Sequence, residues 1–222
     1  MSKEKRVINY YVLCNRLKDV VRTGWNNWKV ERNRIESVAD HIFGVQMLAL
    51  AMKSEYEYDI DIVKVIYMLA IHELGETIIG DLTQFEITKG EKVKIEHAAV
   101  HKILSSLLDG EEIEALYLEY DAKKTPEAMY ASQCDKLEGD LQSKLYDQEL
   151  CVNLNDQMDN PVAQNEIVKE LLESGESWSG MWLEYGLRKY QYDDNFRAVS
   201  KYAKEHYIDE GFARRRSKSE TN

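Results

Sequence analysis

The sequence predicts an all-α fold, and three observations carry that prediction. Apolar residues recur at steps of three and four along nearly every periodic segment, as one buried face of a helix requires. No stretch sustains the alternation of apolar and polar residues that marks a half-buried strand. Cap and breaker pairs such as Thr125-Pro126 and Asp109-Gly110 stand at the edges of the periodic segments.

A first amphipathic helix is expected over Val7 to Val21, with Val7, Tyr10 or Tyr11, Leu13, Leu17 and Val20 inward. Arg22-Thr23-Gly24-Trp25 reads as its end, followed by an irregular basic link through Lys29, Arg32 and Arg34. Ser37 is placed to cap a second helix, with Asp40 in the capping-box position, and Val38, His41, Val45, Leu48 and Met52 share its apolar face. A third helix from about Asp61 carries Ile62, Val65, Ile66 and Leu69 inward, and His72, seven residues after Val65, faces the same way. A fourth helix is expected from Glu91 to Leu108, and a short one from Glu112 to Tyr120. Thr125-Pro126 opens a long helix striped by Ala131, Cys134, Leu137, Leu141 and Leu145. After a polar loop at 153–160, Asn160-Pro161 repeats the cap-and-proline start for a helix ending near Gly175. Two further helices are expected around Trp182 to Lys189 and Asn195 to His206.

Composition narrows the function. A chain of 222 residues with 44% hydrophobic and 31% charged residues and two prolines can bury one substantial core. The net charge of -11 argues against a nucleic-acid polymer or an anionic membrane as partner, while a local basic pocket for one phosphate stays compatible with it. A small-molecule partner is expected. Cys14, Cys134 and Cys151 form no CxxC pair, which points to free thiols in a reducing compartment. The N-terminus lacks an apolar signal core, so a cytoplasmic protein is expected.

The most loaded stretch runs from Met68 to Asp81, where an apolar helix ends in a histidine, carboxylates and two glycines. Adding the inward candidates of other helices gathers His41, His72, Glu73 and Asp135. Two imidazoles and two carboxylates suit a divalent first-row metal, because oxygen donors neutralise charge and nitrogen donors select against magnesium. Such an ion serves metal-assisted hydrolysis. Taken singly, each residue has a plainer reading, since a histidine on an apolar face is more often a packed core residue.

The order of motifs adds weight. Glu36-Ser37-Val38-Ala39-Asp40-His41, Ile71-His72-Glu73-Leu74-Gly75-Glu76, Gly80-Asp81-Leu82 and Cys134-Asp135-Lys136-Leu137-Glu138 resemble the HD-domain phosphohydrolases, and within them the 5'-deoxynucleotidase branch. Arg22-Thr23-Gly24-Trp25 and Glu96 also match that branch, and the likeness covers about Val7 to Leu150. The resemblance implies an HD-type helical bundle that removes the 5'-phosphate of a (deoxy)nucleoside monophosphate. It places one divalent transition metal (Mn, Co, Zn, Fe or Ni) on His41, His72, Glu73 and Asp135, and proton handling on Glu76. Asp81 falls on the residue facing the sugar, with Leu82, Thr83 and Gln84 in the same loop, and Trp25 on the aromatic that orients the phosphate. Arg22 is the nearest partner for that tryptophan, with Arg32 and Arg34 as alternatives. The related enzymes imply a homodimer.

One residue departs from the pattern. Glu73 stands where the family has Asp and reaches about 1.5 Å further, which leaves a catalytically weakened nucleotide- or metal-binding module as the alternative. His97 and His101 at i, i+4 lack the Glu of a zinc-protease motif and are read as an exposed face. Trp178, Trp182, Tyr185 and Tyr190 are read as packing residues. The division expected is a phosphohydrolase core over 1–152, a helical C-terminal extension over 153–213 packed on the core or a partner subunit, and a disordered tail over 214–222.

Overall fold

Long helix α8 (Pro126–Gln148) packs against more elements than any other helix does. The computed structural model describes residues 1–83 and 87–209, so Gln84 and the expected tail over 214–222 lie outside the described residues. Thr125 accepts the Ala128 N–H and Pro126 occupies the first turn, so the cap-and-proline start holds at this helix. Ala131, Cys134 and Leu137 of its stripe are buried, whereas Leu145 is 41% exposed.

Helix α1 (Lys3–Cys14) begins behind Ser2 and passes into a 3-10 turn at Asn15–Lys18. The helix expected to run to Val21 therefore stops early, and Val21 forms an antiparallel bridge with Ser37. Two bonds flank that bridge, from Arg22 N–H to the Glu36 carbonyl and from Val38 N–H to the Val20 carbonyl. These long-range partners replace the helical ones that residues 20–22 would have had. Of the expected inward face Leu17 is buried, but α1 buries no residue and Val7 is exposed. Arg22-Thr23-Gly24-Trp25 does not end a helix but opens the short α2 (Thr23–Asn27).

Ser37 and Asp40 make the capping box of α3 (Val38–Glu55), and the Asp61 carboxylate caps α4 (Ile62–Ile71). These two helices and α8 enclose the largest core cluster, with Val45, Met68, Leu69 and Leu137 fully buried. Each such side chain contributes about 1.5–3 kcal/mol of burial free energy. The short α5 (Glu76–Ile79) follows, then α6 (Lys89–Leu104) and α7 (Gly110–Ala122), which pack together over Val100, Leu104 and Tyr117.

The remaining helices are α9 (Glu166–Glu173), α10 (Trp178–Lys189) and α11 (Asp194–Glu205). Asn160-Pro161 does not start α9. Asn160 instead donates to Gln157 and accepts the Val162 N–H in a turn, and Asn165 caps the helix. Helix α10 contacts α8, α9 and α11, and Trp178 packs on Trp28 with ring centroids 5.9 Å apart. Among the described residues no strand forms, and no helix is long and apolar enough to cross a membrane.

Candidate active site

The capping box fixes the start of α3, so His41, in its first turn, is carried inward on the face of Val38 and Val45. There α8 crosses it. His41 Nδ1 lies 2.6 Å from Glu138 Oε2, and its Nε2 lies 3.2 Å from Asp135 Oδ1. Burial and the Arg22 charge oppose protonation of this imidazole, but Glu138 and Asp135 outweigh them and raise its pKa to about 9.

His72 sits just past the last turn of α4, where its Nδ1 donates to the Leu69 carbonyl at 2.7 Å. That bond commits Nδ1 to the proton, leaving Nε2 as a lone pair. Nε2 is buried, has no hydrogen-bond partner, and lies 3.7 Å from Glu73 Oε1 and 4.0 Å from Asp135 Oδ1. Glu73 Oε1 is also 3.9 Å from His41 Nε2. Burial disfavours the Glu73 anion, yet His72 and Arg22 bring its pKa down to about 2. One donor atom from each of His41, His72, Glu73 and Asp135 falls in a set whose members all lie within 4.8 Å of one another.

This donor set fits a divalent transition metal. An orphaned imidazole nitrogen facing two carboxylates and a second imidazole is costly without a shared cation. Outer partners hold the set in place: Glu138 orients His41, the Leu69 carbonyl orients His72, and the Tyr120 hydroxyl donates to Asp135 Oδ2 at 3.0 Å. Lys136 Nζ lies 2.9 Å from the same Oδ2. The longer Glu73 side chain does bring an oxygen into the set.

Beside the donors opens a cavity of about 400 Å³, lined among others by Arg22, Trp25, Glu73, Glu76, Asp81 and Lys92. Arg22 Nη1 lies 3.3 Å from Glu73 Oε1. Arg32 and Arg34, by contrast, pair with Glu149 and Asp40 and do not line it. Trp25 is buried, and its indole N–H donates to Glu36 Oε2 at 2.5 Å, so its contribution to the wall is its ring. Asp81 is held by the Thr23 N–H at 2.7 Å, while the Thr23 hydroxyl donates to the Asp81 carbonyl. Leu82 and Thr83 also line the cavity.

Glu76 is 2% exposed, and neither of its carboxylate oxygens has a hydrogen-bond partner; Lys92 Nζ lies 3.7 Å away. Burial, then Glu73 and Asp81, raise its pKa to about 11 against the opposing pull of Arg22 and Lys92. Burial and the neighbouring carboxylates thus favour the protonated form of Glu76 in the metal-free site.

His97 and His101 do not converge. They pair separately with Asp121 and Glu114 of α7, at 2.9 and 3.0 Å. Of the four aromatics read as packing residues, Trp178 is 1% exposed, but Trp182, Tyr185 and Tyr190 line the cavity. Sequence reasoning assigned no role to Glu138 and Lys136, although both stand in the Asp135 motif, and singled out neither Tyr120 nor Lys92. Glu138 had a signal, lying three residues after Asp135 and so on the same helical face; Lys92 and the aromatics reach the cavity only through tertiary folding.

A family model described as HD domain matches residues 14–174. The 5'-deoxynucleotidase HDDC2 of Dictyostelium discoideum is 36% identical over 150 residues, covering 64% of this chain and 78% of its own. The 5'-deoxynucleotidase hdd1 of Schizosaccharomyces pombe is 31% identical over 144 residues, covering 62% of this chain and 70% of its own. Among solved structures, a conserved hypothetical protein of Pyrococcus furiosus aligns with a TM-score of 0.62 and 26% identity, covering 90% of this chain and 99% of that one. A predicted metal-dependent phosphohydrolase of Magnetospirillum magnetotacticum aligns with a TM-score of 0.58, covering 91% and 93%; its 22% identity speaks to the fold alone.

Proposed function

This chain belongs to the HD-domain family, and on that premise we propose that it is a divalent-metal-dependent phosphohydrolase that removes the 5'-phosphate of a deoxynucleoside monophosphate. The observation that carries the reading is the buried, unpartnered His72 Nε2 among three further donor atoms, on the edge of a cavity that also receives Arg22, Lys92 and Lys136. The curated relatives named 5'-deoxynucleotidase supply the substrate class.

His41, His72, Glu73 and Asp135 are the residues that would hold the ion. When bound, it supplies Lewis-acid polarisation of the phosphoryl group and acidification of water. Three cations lining the cavity complement a phosphate dianion. Arg22 is the phosphate partner of choice, since it alone of the three candidate arginines lines the cavity. Trp25 lines the same cavity, and Asp81, Leu82 and Thr83 border the sugar.

Glu76 is the proton carrier. As water attacks phosphorus and the bond from phosphorus to the 5'-oxygen breaks, Glu76 gives its proton to the departing oxygen and regains one from the attacking water. The products are a nucleoside and inorganic phosphate. Residues 1–152 constitute the catalytic core in this reading, and 153–213 an extension of which residues 162–190 complete the cavity. We further infer a homodimer, from the exposed apolar face of α3 and α4 described below, and a reducing compartment, from three free cysteines.

Phosphate release from a panel of nucleoside 5'-monophosphates with manganese, cobalt or zinc tests the reading. Release is expected from deoxynucleotides and is expected to be lost in Asp135→Ala. No release by the wild type, or equal release by Asp135→Ala, overturns it. Tight nucleotide binding without turnover, restored by Glu73→Asp, would instead identify a weakened binding module.

A further inference from the structure

The cavity is divided chemically along the chain. Its charged wall comes from Arg22, Glu73, Glu76, Asp81, Lys92 and Lys136. Every lining residue beyond position 139 is uncharged, with Trp182, Tyr185 and Tyr190 aromatic and Val162, Val168 and Met181 apolar. Trp182 and Tyr185 stand three residues apart on α10, within reach of one another on one face. Both are only half-buried, whereas Trp178, one turn earlier, is sealed in the core. Trp182 is braced by Trp25 at 5.3 Å and Trp178 at 6.2 Å between ring centroids, so its ring is held in place before any ligand arrives.

Asn165 adds one polar group to this wall. As the cap of α9 it accepts the N–H groups of Ile167 and Val168 on Oδ1, which fixes the amide orientation and leaves the Nδ2 hydrogens as donors. An aromatic and apolar wall with a single amide donor complements a flat, uncharged heterocycle bearing a carbonyl. It does not complement a second phosphate or an acidic group.

We propose that the wall formed by α9 and α10 is the nucleobase subsite, in which Trp182 and Tyr185 pack against the base and Asn165 Nδ2 donates to a base carbonyl. The proposal rests on the reading that the charged wall takes the phosphate. It assigns the C-terminal extension a part in substrate selection. Base-on-aromatic packing of this kind changes affinity by about fivefold or more when the aromatic is truncated.

Binding of unreactive fragments tests it without calling on turnover. Thymidine, 2-deoxyribose and inorganic phosphate are titrated calorimetrically into the metal-loaded full chain and its variants. Thymidine is expected to bind at least tenfold tighter than 2-deoxyribose. Tyr185→Ala, which removes the ring, and Asn165→Asp, which keeps the cap oxygen but removes the donor, should each reduce that advantage to under threefold. Tyr185→Phe should preserve it, and phosphate affinity should stay unchanged in all three, which also certifies that the variants are folded. Equal binding of thymidine and 2-deoxyribose by the wild type, or an advantage that survives both disruptive substitutions, overturns the proposal. Phosphate release from thymidine 5'-monophosphate separates the two readings. Release without thymidine preference sinks the subsite alone, and thymidine preference without release upholds the subsite and sinks the hydrolase.

Discussion

Asp140 is buried on α8, where the Tyr192 hydroxyl donates to it at 3.0 Å. Burial raises its pKa well above the usual carboxylate value, against the opposing effects of Tyr192 and Lys136. Native protein thus keeps a proton that unfolded chain sheds above about pH 4, so the folded state loses stability as pH rises from there toward the folded pKa. The slope is at most about 1.4 kcal/mol per pH unit. Asp140→Asn does not titrate and can still accept from Tyr192. Urea unfolding should show the variant nearly equal to wild type near pH 4 and progressively more stable than it between pH 5 and 8; a difference independent of pH would refute this. Glu76 calls for a kinetic counterpart. Burial and the neighbouring carboxylates favour protonated Glu76 in the metal-free site, so Glu76→Gln is a close neutral replica of that form, but it cannot transfer a proton. Steady-state kinetics should show kcat reduced by about 10²–10⁴ with KM nearly unchanged; full activity would remove Glu76 from the mechanism. At this scale the candidate donor cluster was legible, because histidines and acids on apolar faces announce themselves at His41, His72, Glu73 and Asp135. Trp182 and Tyr185 were not, since an aromatic at helical spacing reads the same whether it faces a core or a cavity.

Helix α8 approaches its neighbours through two glycines that make room for its buried acids. A Cβ on Gly44 of α3 would collide with Glu138 Oε1, and one on Gly186 of α10 would collide with Asp140 Oδ2. Gly44 stands three residues after His41, so the space it leaves open is the space in which Glu138 reaches the His41 imidazole. Gly44→Ala should therefore displace Glu138 and weaken metal binding by about 10–100-fold, the range for loss of an outer partner. Intrinsic helix propensity works in the opposite direction by about 1 kcal/mol, so a melting temperature alone would mislead. Competition with a chelator is the measurement, and unchanged metal affinity would refute the role given to Glu138. The existence of the longer helices was legible from periodicity and caps, as at Ser37 and Thr125, whereas nothing in the pattern marked the short α2 and α5. Boundaries were misread where a local signal has two uses. Asn160-Pro161 suits a turn as well as a helix start, and Val20 and Val21 leave the first helical pattern because residues 36–38 offer them backbone partners.

The molecule as a whole uses α8 as a spine: its Asp135 joins the candidate donor cluster, and its Lys136 and Gly139 line the cavity together with residues of α10. The all-α class was legible because it needs only periodicity. The cavity was not, because it is made where residues 22–92 meet α8 at Lys136 and Gly139 and residues 162–190, and no local pattern encodes that meeting. The opposite case is a surface whose pattern is legible only once the fold is known. On α3, Phe43, Met47 and Leu50 recur at helical spacing yet are 63%, 43% and 45% exposed, although they are the kind of residue that a helix turns inward. Val63 and Tyr67 are likewise exposed on α4, which packs against α3, and Tyr67 lies close enough to Tyr10 of α1 to add to the upward shift of its phenol pKa. These outward apolar positions on adjacent helices are the observation behind the proposed homodimer. A second copy of the chain is the simplest occupant, since a two-fold axis presents the same patch twice. Light scattering of the wild type at micromolar concentration should give twice the chain mass. Phe43→Glu combined with Leu50→Glu would bury two carboxylates per subunit at the contact, and the mass should fall to that of one chain. The donor cluster and the cavity lie on other residues, so phosphate release by the monomeric variant should remain within about threefold of wild type, less than the tenfold that 1.4 kcal/mol represents. A monomeric wild type, or a double variant that still dimerises, would assign that face to a different partner.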